Sequence, residues 1–320
     1  MELREIAKDV YTCLQADRGL GTSNSGFINR GGGLVVDTFW DLPHTRQLIE
    51  SYARVWKGPA RRVVNTHHNG DHCWGNQLFP GAEIIGHRLC AAAMAKERPE
   101  MMQMLRLAAD SDDAAVAAIA RALHAWDFTG IELTPPTRLI DETLDLDLGG
   151  VPVRLIYVGP AHTAGDVIVH LPEQRVLFTG DILFRLCTPI GWEGTYARWI
   201  EALDQIVALK PDVIVPGHGP LCGLEGPQEM KAYLQYVRSE SKRFFDAALP
   251  ALEAAKRIDL GPYARWTEPE RLLFNVERAY REFRGEPFDA PIDALSIFRG
   301  MYELRTKTAA PTAVRPEFEA

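Results

Sequence analysis

Ten residues constrain this chain more than any others: Val63-Val64-Asn65-Thr66-His67-His68-Asn69-Gly70-Asp71-His72. The β-branched pair reads as the end of a buried strand. Asn65, Asn69 and Gly70 are turn formers, and a helix-compatible stretch follows near Leu78. Imidazoles and a carboxylate therefore collect at the carboxyl end of a strand, where layered α/β folds place their sites. In an extended loop residues two apart point the same way, so His67 and Asn69 can face one point. Asp71 and His72 are neighbours and diverge, which suits a second point close by. Such a fork can hold two metal ions about 3.5–4 Å apart around a shared water. A polar turn whose histidines cap a helix would explain one isolated histidine, but three histidines and an aspartate in this short run ask for more.

Three later strands end the same way. Val153 to Tyr157 empties into Val158-Gly159-Pro160-Ala161-His162-Thr163-Ala164-Gly165-Asp166. Arg175 to Phe178 ends in Thr179-Gly180-Asp181, and Val213 to Val215 ends in Pro216-Gly217-His218-Gly219. One strand-end histidine means little; four such events look like a metal centre assembled from distant loops. Imidazole nitrogen and carboxylate oxygen suit zinc, iron or manganese, and composition does not choose among them.

Further strands are expected at Val10 to Leu14, Gly26 to Asn29, Leu34 to Val36, Ala82 to Ile85, Thr137 to Ile140, Leu144 to Leu148 and Val167 to His170. Helices are expected over Leu42 to Trp56, from Trp74 to the Pro80-Gly81 break, and over Trp199 to Leu209. Asp37 closes an apolar strand and so reads as buried and hydrogen-bonded. Arg88 to Trp126, rich in Ala, Met and Leu, reads as two or three helices inserted as a lid. Its methionines fall at roughly helical spacing, which points to core packing. His87 reads as a crevice residue, and His124 as part of the insertion. Pro227 to Leu304 reads as three or four amphipathic helices, broken near Gly261-Pro262 and Gly285 to Pro291, with aromatics that pack. Residues 306–320 lack periodicity and read as a disordered tail.

A length of 320 residues with 46% apolar content is ample for a large core. The formal charge of −8, with no basic run, argues against nucleic acid as a partner. Five scattered cysteines fit reduced thiols rather than a disulfide framework. No stretch approaches the ~20 apolar residues that span a bilayer, and Met1 to Val10 carries no apolar signal core. The expected location is the cytoplasm, away from membranes.

The Val63 to His72 run resembles the His-x-His-x-Asp-His signature of the metallo-β-lactamase superfamily, with Asn69 where the signature has its second histidine. The resemblance implies an α/β fold, a four-layer αββα sandwich over residues 1–225 with the helical insertion at about 88–126, followed by a helical extension over 226–305. It implies one metal at His67, Asn69 and His162, and another at Asp71, His72 and His218, with Asp181 bridging. Asp37 would support the metal loop from behind, and Asp71, His67 and His162 would stand at the chemistry. The implied cofactor is zinc, one or two ions, with iron or manganese as alternatives. An amide oxygen is a poorer zinc donor than imidazole, so the first site should bind more weakly or favour a harder ion. The strand-like alternation aims His68 elsewhere. With Asp rather than Cys at 181, the site resembles the hydrolase and lactonase branches of the superfamily.

Further runs, among them Ile131-Glu132-Leu133-Thr134-Pro135-Pro136, Gly217-His218-Gly219-Pro220 and Leu273-Phe274-Asn275-Val276-Glu277-Arg278, resemble the subgroup containing the aromatic-polyketide cyclases. Members of that subgroup join ring closure to thioester cleavage. The implied function is hydrolysis of an ester, thioester or lactone by metal-bound hydroxide. Cyclisation of a polyketide is the alternative chemistry, and non-catalytic binding of an apolar ligand by a metal-poor protein the alternative class. Trp74, Trp192 and the loop Ser23, Asn24, Ser25 are the expected substrate contacts. The expected partners are a small-molecule or carrier-bound acyl substrate and, at most, a second copy of the chain as a homodimer.

Overall fold

A computed structural model describes residues 1–15 and 19–308. The first half builds a seven-stranded sheet from β1 (Glu2–Ala7), β2 (Val10–Leu14), β3 (Ser25–Ile28), β4 (Leu34–Val36), β5 (Arg62–Val64), β6 (Glu83–His87) and β7 (Arg138–Ile140), which lie side by side in chain order. Strands β1 to β4 pair antiparallel and β4 to β7 pair parallel. The second sheet, β8 (Thr143–Asp147), β9 (Pro152–Tyr157), β10 (Val167–Leu171), β11 (Val176–Phe184) and β12 (Val213–His218), is antiparallel apart from the β11–β12 pair.

Alternation decides which face each side chain joins. Val167, Val169 and Leu171 point into the space between the sheets, where they meet Leu34, Val36, Val64 and Ile85. Ile168 and Leu177 point the other way, into the outer core of the second sheet. Val35 and Val63 pack outward on the first sheet, beneath the helix α1 (Leu42–Tyr52) with its Leu48 and Tyr52. Strands buried on both faces read as unbroken apolar runs, as these do. The layers run helix, sheet, sheet, helix: the αββα sandwich.

The remaining helices are α2 (Gly70–Cys73), α3 (Arg88–Met94), α4 (Pro99–Arg106), α5 (Ala114–Ala122), α6 (Tyr196–Leu209), α7 (Glu225–Asp246), α8 (Ala251–Ala255), α9 (Leu272–Phe283) and α10 (Ala294–Thr308). The insertion is α3 to α5, broken at Arg98-Pro99 and again before the Asp113 cap, whose carboxylate accepts from the N–H groups of Ala115 and Val116. Helix α6 starts on a Thr195 cap and ends at Lys210 in a left-handed conformation. Helices α6 and α7 cover the outer face of the second sheet, with Trp199, Leu203, Tyr233 and Val237 fully or almost fully buried.

Several elements differ from the sequence reading. Glu2–Ala7 is an edge strand, unread because its charged residues face water and leave no apolar run. The helix expected after Trp74 is replaced by α2 and a single 3-10 turn at Asn76–Leu78. The helical turn begins at Gly70 because the carbonyl of Asn69 already accepts from the His72 N–H. Strand β11 runs on through Gly180 and Asp181 to Phe184 instead of stopping at Phe178, with register shifts around Gly180. Residues 306–308 belong to α10, and the tail expected over 309–320 lies outside the described residues. Met94 is core, whereas Met101 and Met104 are exposed. His87 caps α3 and stacks on Tyr157, with its Nε2 3.1 Å from the Asp141 carbonyl, a crevice residue. Among the described residues no helix is long and apolar enough to cross a membrane.

Candidate metal centre

Four strand ends converge on one buried carboxylate. Asp181, in β11, has its Oδ1 3.1 Å from His72 Nε2, and its Oδ2 lies 3.2 Å from His218 Nε2, 3.4 Å from His162 Nε2 and 3.7 Å from His67 Nε2. Asp71 closes the other side, with Oδ2 3.4 Å from His218 Nε2 and 3.8 Å from His72 Nε2. His67, His72 and Asp181 offer ligand atoms within 4.8 Å of one another, and so do Asp71, His72 and His218. His72 belongs to both groups. Asn69 stands beside His162, its side-chain oxygen 2.8 Å from Nε2.

Close approach of backbones makes this convergence steric as well as chemical. A Cβ on Gly217 would stand 2.0 Å from Asp181 Oδ1, and one on Gly180, which lies at φ +50°, would stand 2.4 Å from Thr66 Oγ1. Glycine at 217 lets β12 press against β11 at Asp181, and glycine at 180 lets β11 press against the metal loop at Thr66.

The outer nitrogens of the four rings are all committed. His162 Nδ1 lies 2.9 Å from the Ile190 carbonyl and His218 Nδ1 3.0 Å from the Thr22 carbonyl; a carbonyl only accepts, so each Nδ1 carries the proton. His72 Nδ1 donates to Asp37 Oδ2 at 2.9 Å. Thr66 gives its hydroxyl hydrogen to the same carboxylate, so its oxygen is free to accept from His67 Nδ1 at 3.0 Å. In every neutral ring the lone pair is therefore on Nε2, aimed at Asp181. This is the tautomer a metal needs, fixed by partners behind the ring.

Inside the cluster His218 Nε2 lies at hydrogen-bond distance from Asp181 Oδ2, 3.2 Å, but two polar atoms lack partners. His67 Nε2 is buried with none, and Asp181 Oδ1, although close to His72, is not aligned for one. His162 Nε2 faces the Asn69 oxygen, lone pair to lone pair, at a distance that needs a cation between them or the amide turned to donate. Unpaired buried acceptors are costly. A divalent cation satisfies them together, and nitrogen and oxygen donors of this kind fit a transition metal.

Charge follows the same map. Burial pushes His67 well below the usual imidazole range, with the neighbouring imidazoles adding to the effect, and it brings His162 down to about 4. Burial also works against a charge on His72 and His218, but the carboxylates of Asp181 and Asp71 outweigh it and hold both above the usual value. Asp181 is itself drawn far below the carboxylate range: burial would raise it, and His218, His72 and His67 overcome that. Asp37 is pushed upward by burial despite its donors from His72 and Thr66. Protons and metal compete for these Nε2 lone pairs.

The cluster opens into a cavity of about 390 Å³ that exposes Asn69, Asp71, His162, Asp181 and His218 at one end. Its walls are apolar: Trp40, Trp74 and Trp192, then Met102, Leu105 and Ile119 from the insertion and Ile292 and Phe298 from the C-terminal region. Trp74 and Trp192, the expected substrate contacts, thus line the cavity. The loop Ser23 to Ser25 does not, and that expectation is corrected. Ser23 Oγ donates to the Asp71 carbonyl, Asn24 Nδ2 donates to the carbonyls of Pro216 and Gly219, and Ser25 Oγ faces the carbonyls of Val36 and Asp37. All three side chains are buried against backbone, so the loop ties the metal-bearing segments together from behind. His68, aimed elsewhere as expected, lines the cavity. Glu97 and Glu193 also line it, and nothing in the sequence marked them, since single charged residues in a lid or a connecting segment usually face water.

The sequence profile of the metallo-beta-lactamase superfamily matches residues 18–218. The chain belongs to that superfamily. Among relatives in the superfamily, the linear primary-alkylsulfatase of a Pseudomonas species is 22% identical over 297 residues, 81% of this chain and 56% of the relative. The hydroxyacylglutathione hydrolase of Brucella ovis is 26% identical over 219 residues, covering 64% of this chain and 68% of that protein. Among solved structures, the sec-alkylsulfatase Pisa1 from Pseudomonas sp. superposes with a TM-score of 0.64 at 17% identity, over 91% of this chain and 51% of its own. The likeness to Pisa1 is one of fold, and this chain spans about half the length of either alkylsulfatase.

Proposed function

We propose that this superfamily member is a metal-dependent hydrolase that cleaves an ester, thioester or lactone, with zinc as its metal. The observation that carries this reading is the set of four Nε2 atoms turned on Asp181, each ring fixed from behind. His67, Asn69 and His162 would hold one cation and Asp71, His72 and His218 a second, with Asp181 between. A divalent cation bound there lowers the pKa of a coordinated water toward ~7 and polarises the carbonyl under attack.

The chain's own residues do the rest. Asp71, the carboxylate ligand most open to the cavity, is positioned to accept a proton from attacking water. The tryptophans and the insertion's apolar side chains bind the acyl portion and keep bulk water out. Asp37 and the Ile190 and Thr22 carbonyls keep the imidazoles in the tautomer that can ligate.

Two other substrates meet the same site. The alkylsulfatase relative makes a sulfate ester a rival, and the carboxylates of Glu97 and Glu193 weigh against a substrate that enters as an anion. Ring closure of a carrier-bound polyketide draws support from the breadth of the apolar cavity. Incubation with a thioester-tethered polyketide mimic separates the outcomes: a free acid marks hydrolysis and a new ring marks cyclisation. For the hydrolase itself, zinc-loaded protein is expected to turn over chromogenic esters or thioesters, with the rate abolished by a chelator and by Asp71→Ala. Failure of the loaded protein on esters, thioesters and lactones alike would overturn the proposal.

A further inference from the structure

More acidic side chains line the cavity than the metal set uses. Glu97, just beyond α3, and Glu193, in the segment after β11, both line it, and among the described residues neither lies within ion-pair distance of a lysine or arginine. The arginine that lines the same cavity, Arg271, is engaged by Glu268 and by the Thr188 carbonyl. His68 points to what this charge is for. It is 7% exposed and lines the cavity, its Nδ1 has no hydrogen-bond partner, and its Nε2 stands 3.9 Å from Glu97 Oε1. That gap is too wide for a direct hydrogen bond and leaves both atoms open to a donor that approaches the pair from the cavity side. The same cavity is lined by Trp40, Trp74 and Trp192, and indole faces attract cations as well as apolar chains.

We propose that the cavity takes a substrate whose apolar body carries a basic nitrogen, with the ammonium group seated against Glu97 and His68. The inference deepens the hydrolase reading and rests on it only in calling the ligand a substrate. Recognition by paired carboxylate, imidazole acceptor and indole faces is cation recognition. It sets this site apart from one built for an alkyl sulfate, whose polar end is an anion. Glu97 is carried by the helical insertion, so the lid would supply the specificity and the metal loop the chemistry.

The test is equilibrium binding to the metal-loaded chain, read by the fluorescence of the cavity tryptophans, with three ligands of one chain length: hexylammonium, 1-hexanol and hexyl sulfate. Hexylammonium is expected to bind roughly tenfold more tightly than either of the others, the worth of a charge-assisted contact. In Glu97→Gln and in Glu193→Gln, each checked by circular dichroism to be folded under the binding conditions, that ratio is expected to shrink. Equal binding of the three ligands, tightest binding of hexyl sulfate, or an undiminished ratio in both variants would overturn the proposal. Preference for hexylammonium without hydrolysis of any ester would sink the hydrolase reading alone, and an esterase indifferent to ligand charge would sink this one alone.

Discussion

Asp37 sits at φ +59°, a left-handed backbone conformation that aspartate tolerates better than most residues, and from there its carboxylate reaches three donors. Oδ1 accepts from the Thr66 N–H, and Oδ2 accepts from the Thr66 hydroxyl and from His72 Nδ1. Replacing it by asparagine presents an N–H₂ to groups that are themselves donors. Asp37→Asn is therefore expected to weaken metal binding by about 10–100-fold, as loss of a partner behind a ligand usually does, measured by competition with a chromogenic chelator. Asn69 is the other residue on which the site turns. Its oxygen stands against His162 Nε2, where an imidazole would give a stronger donor. Asn69→His is expected to raise both the bound metal and the esterase rate, read by metal analysis and a chromogenic ester; a fall in both would show that the amide is the better fit. The ligand-type residues were legible in the sequence because each follows closely on a short apolar run. The work of Ser23 to Ser25 was not, because small polar residues usually mark exposed turns, and no local signal told that carbonyls of residues 37, 71, 216 and 219 would meet them.

Among the elements, the insertion has the most to test. Glu97 lies on it half-buried, and burial, with the nearby Glu193 and Asp71 carboxylates, pushes its carboxyl up to about 7. An acid whose folded pKa lies above its unfolded value binds protons more tightly in the folded state. Its contribution to stability is then favourable below the unfolded value of 4.5 and is lost as pH rises toward about 7. Urea unfolding of wild type between those limits is expected to lose stability with rising pH more steeply than Glu97→Gln; matching slopes would contradict the assignment. At this scale the strands read well, since alternation between two buried faces gives unbroken apolar runs such as Val167 to Leu171. Short helical turns and edges read poorly. Helix α2 is one turn long, set by the Asn69 carbonyl and by packing against Trp40 and Trp74 rather than by propensity. The strand Glu2–Ala7 borrows its order from its partner β2 and shows no apolar periodicity of its own.

For the molecule as a whole, the metal centre is where the two sheets are joined by something other than apolar contact. Ligands come from α2 and the loop that joins it to β5 on the first sheet and from β11 and β12 on the second, with His162 from the loop between β9 and β10. A cation bound there cross-links both halves, so its binding energy is also folding energy. The layered fold was implied by the superfamily resemblance that the strand-end motifs carry. The cavity was not, because its walls join an insertion, a metal loop and a C-terminal helix that no sequence pattern ties together. The central claim, that these converging imidazoles and carboxylates hold a divalent metal, is tested most directly by elemental analysis of the full chain after dialysis against zinc and then metal-free buffer. About one to two equivalents of zinc are expected to remain, with the content falling sharply in His72→Ala, which removes the ligand shared by both groups. Retention of less than about a tenth of an equivalent, or the same content in His72→Ala as in wild type, would contradict it.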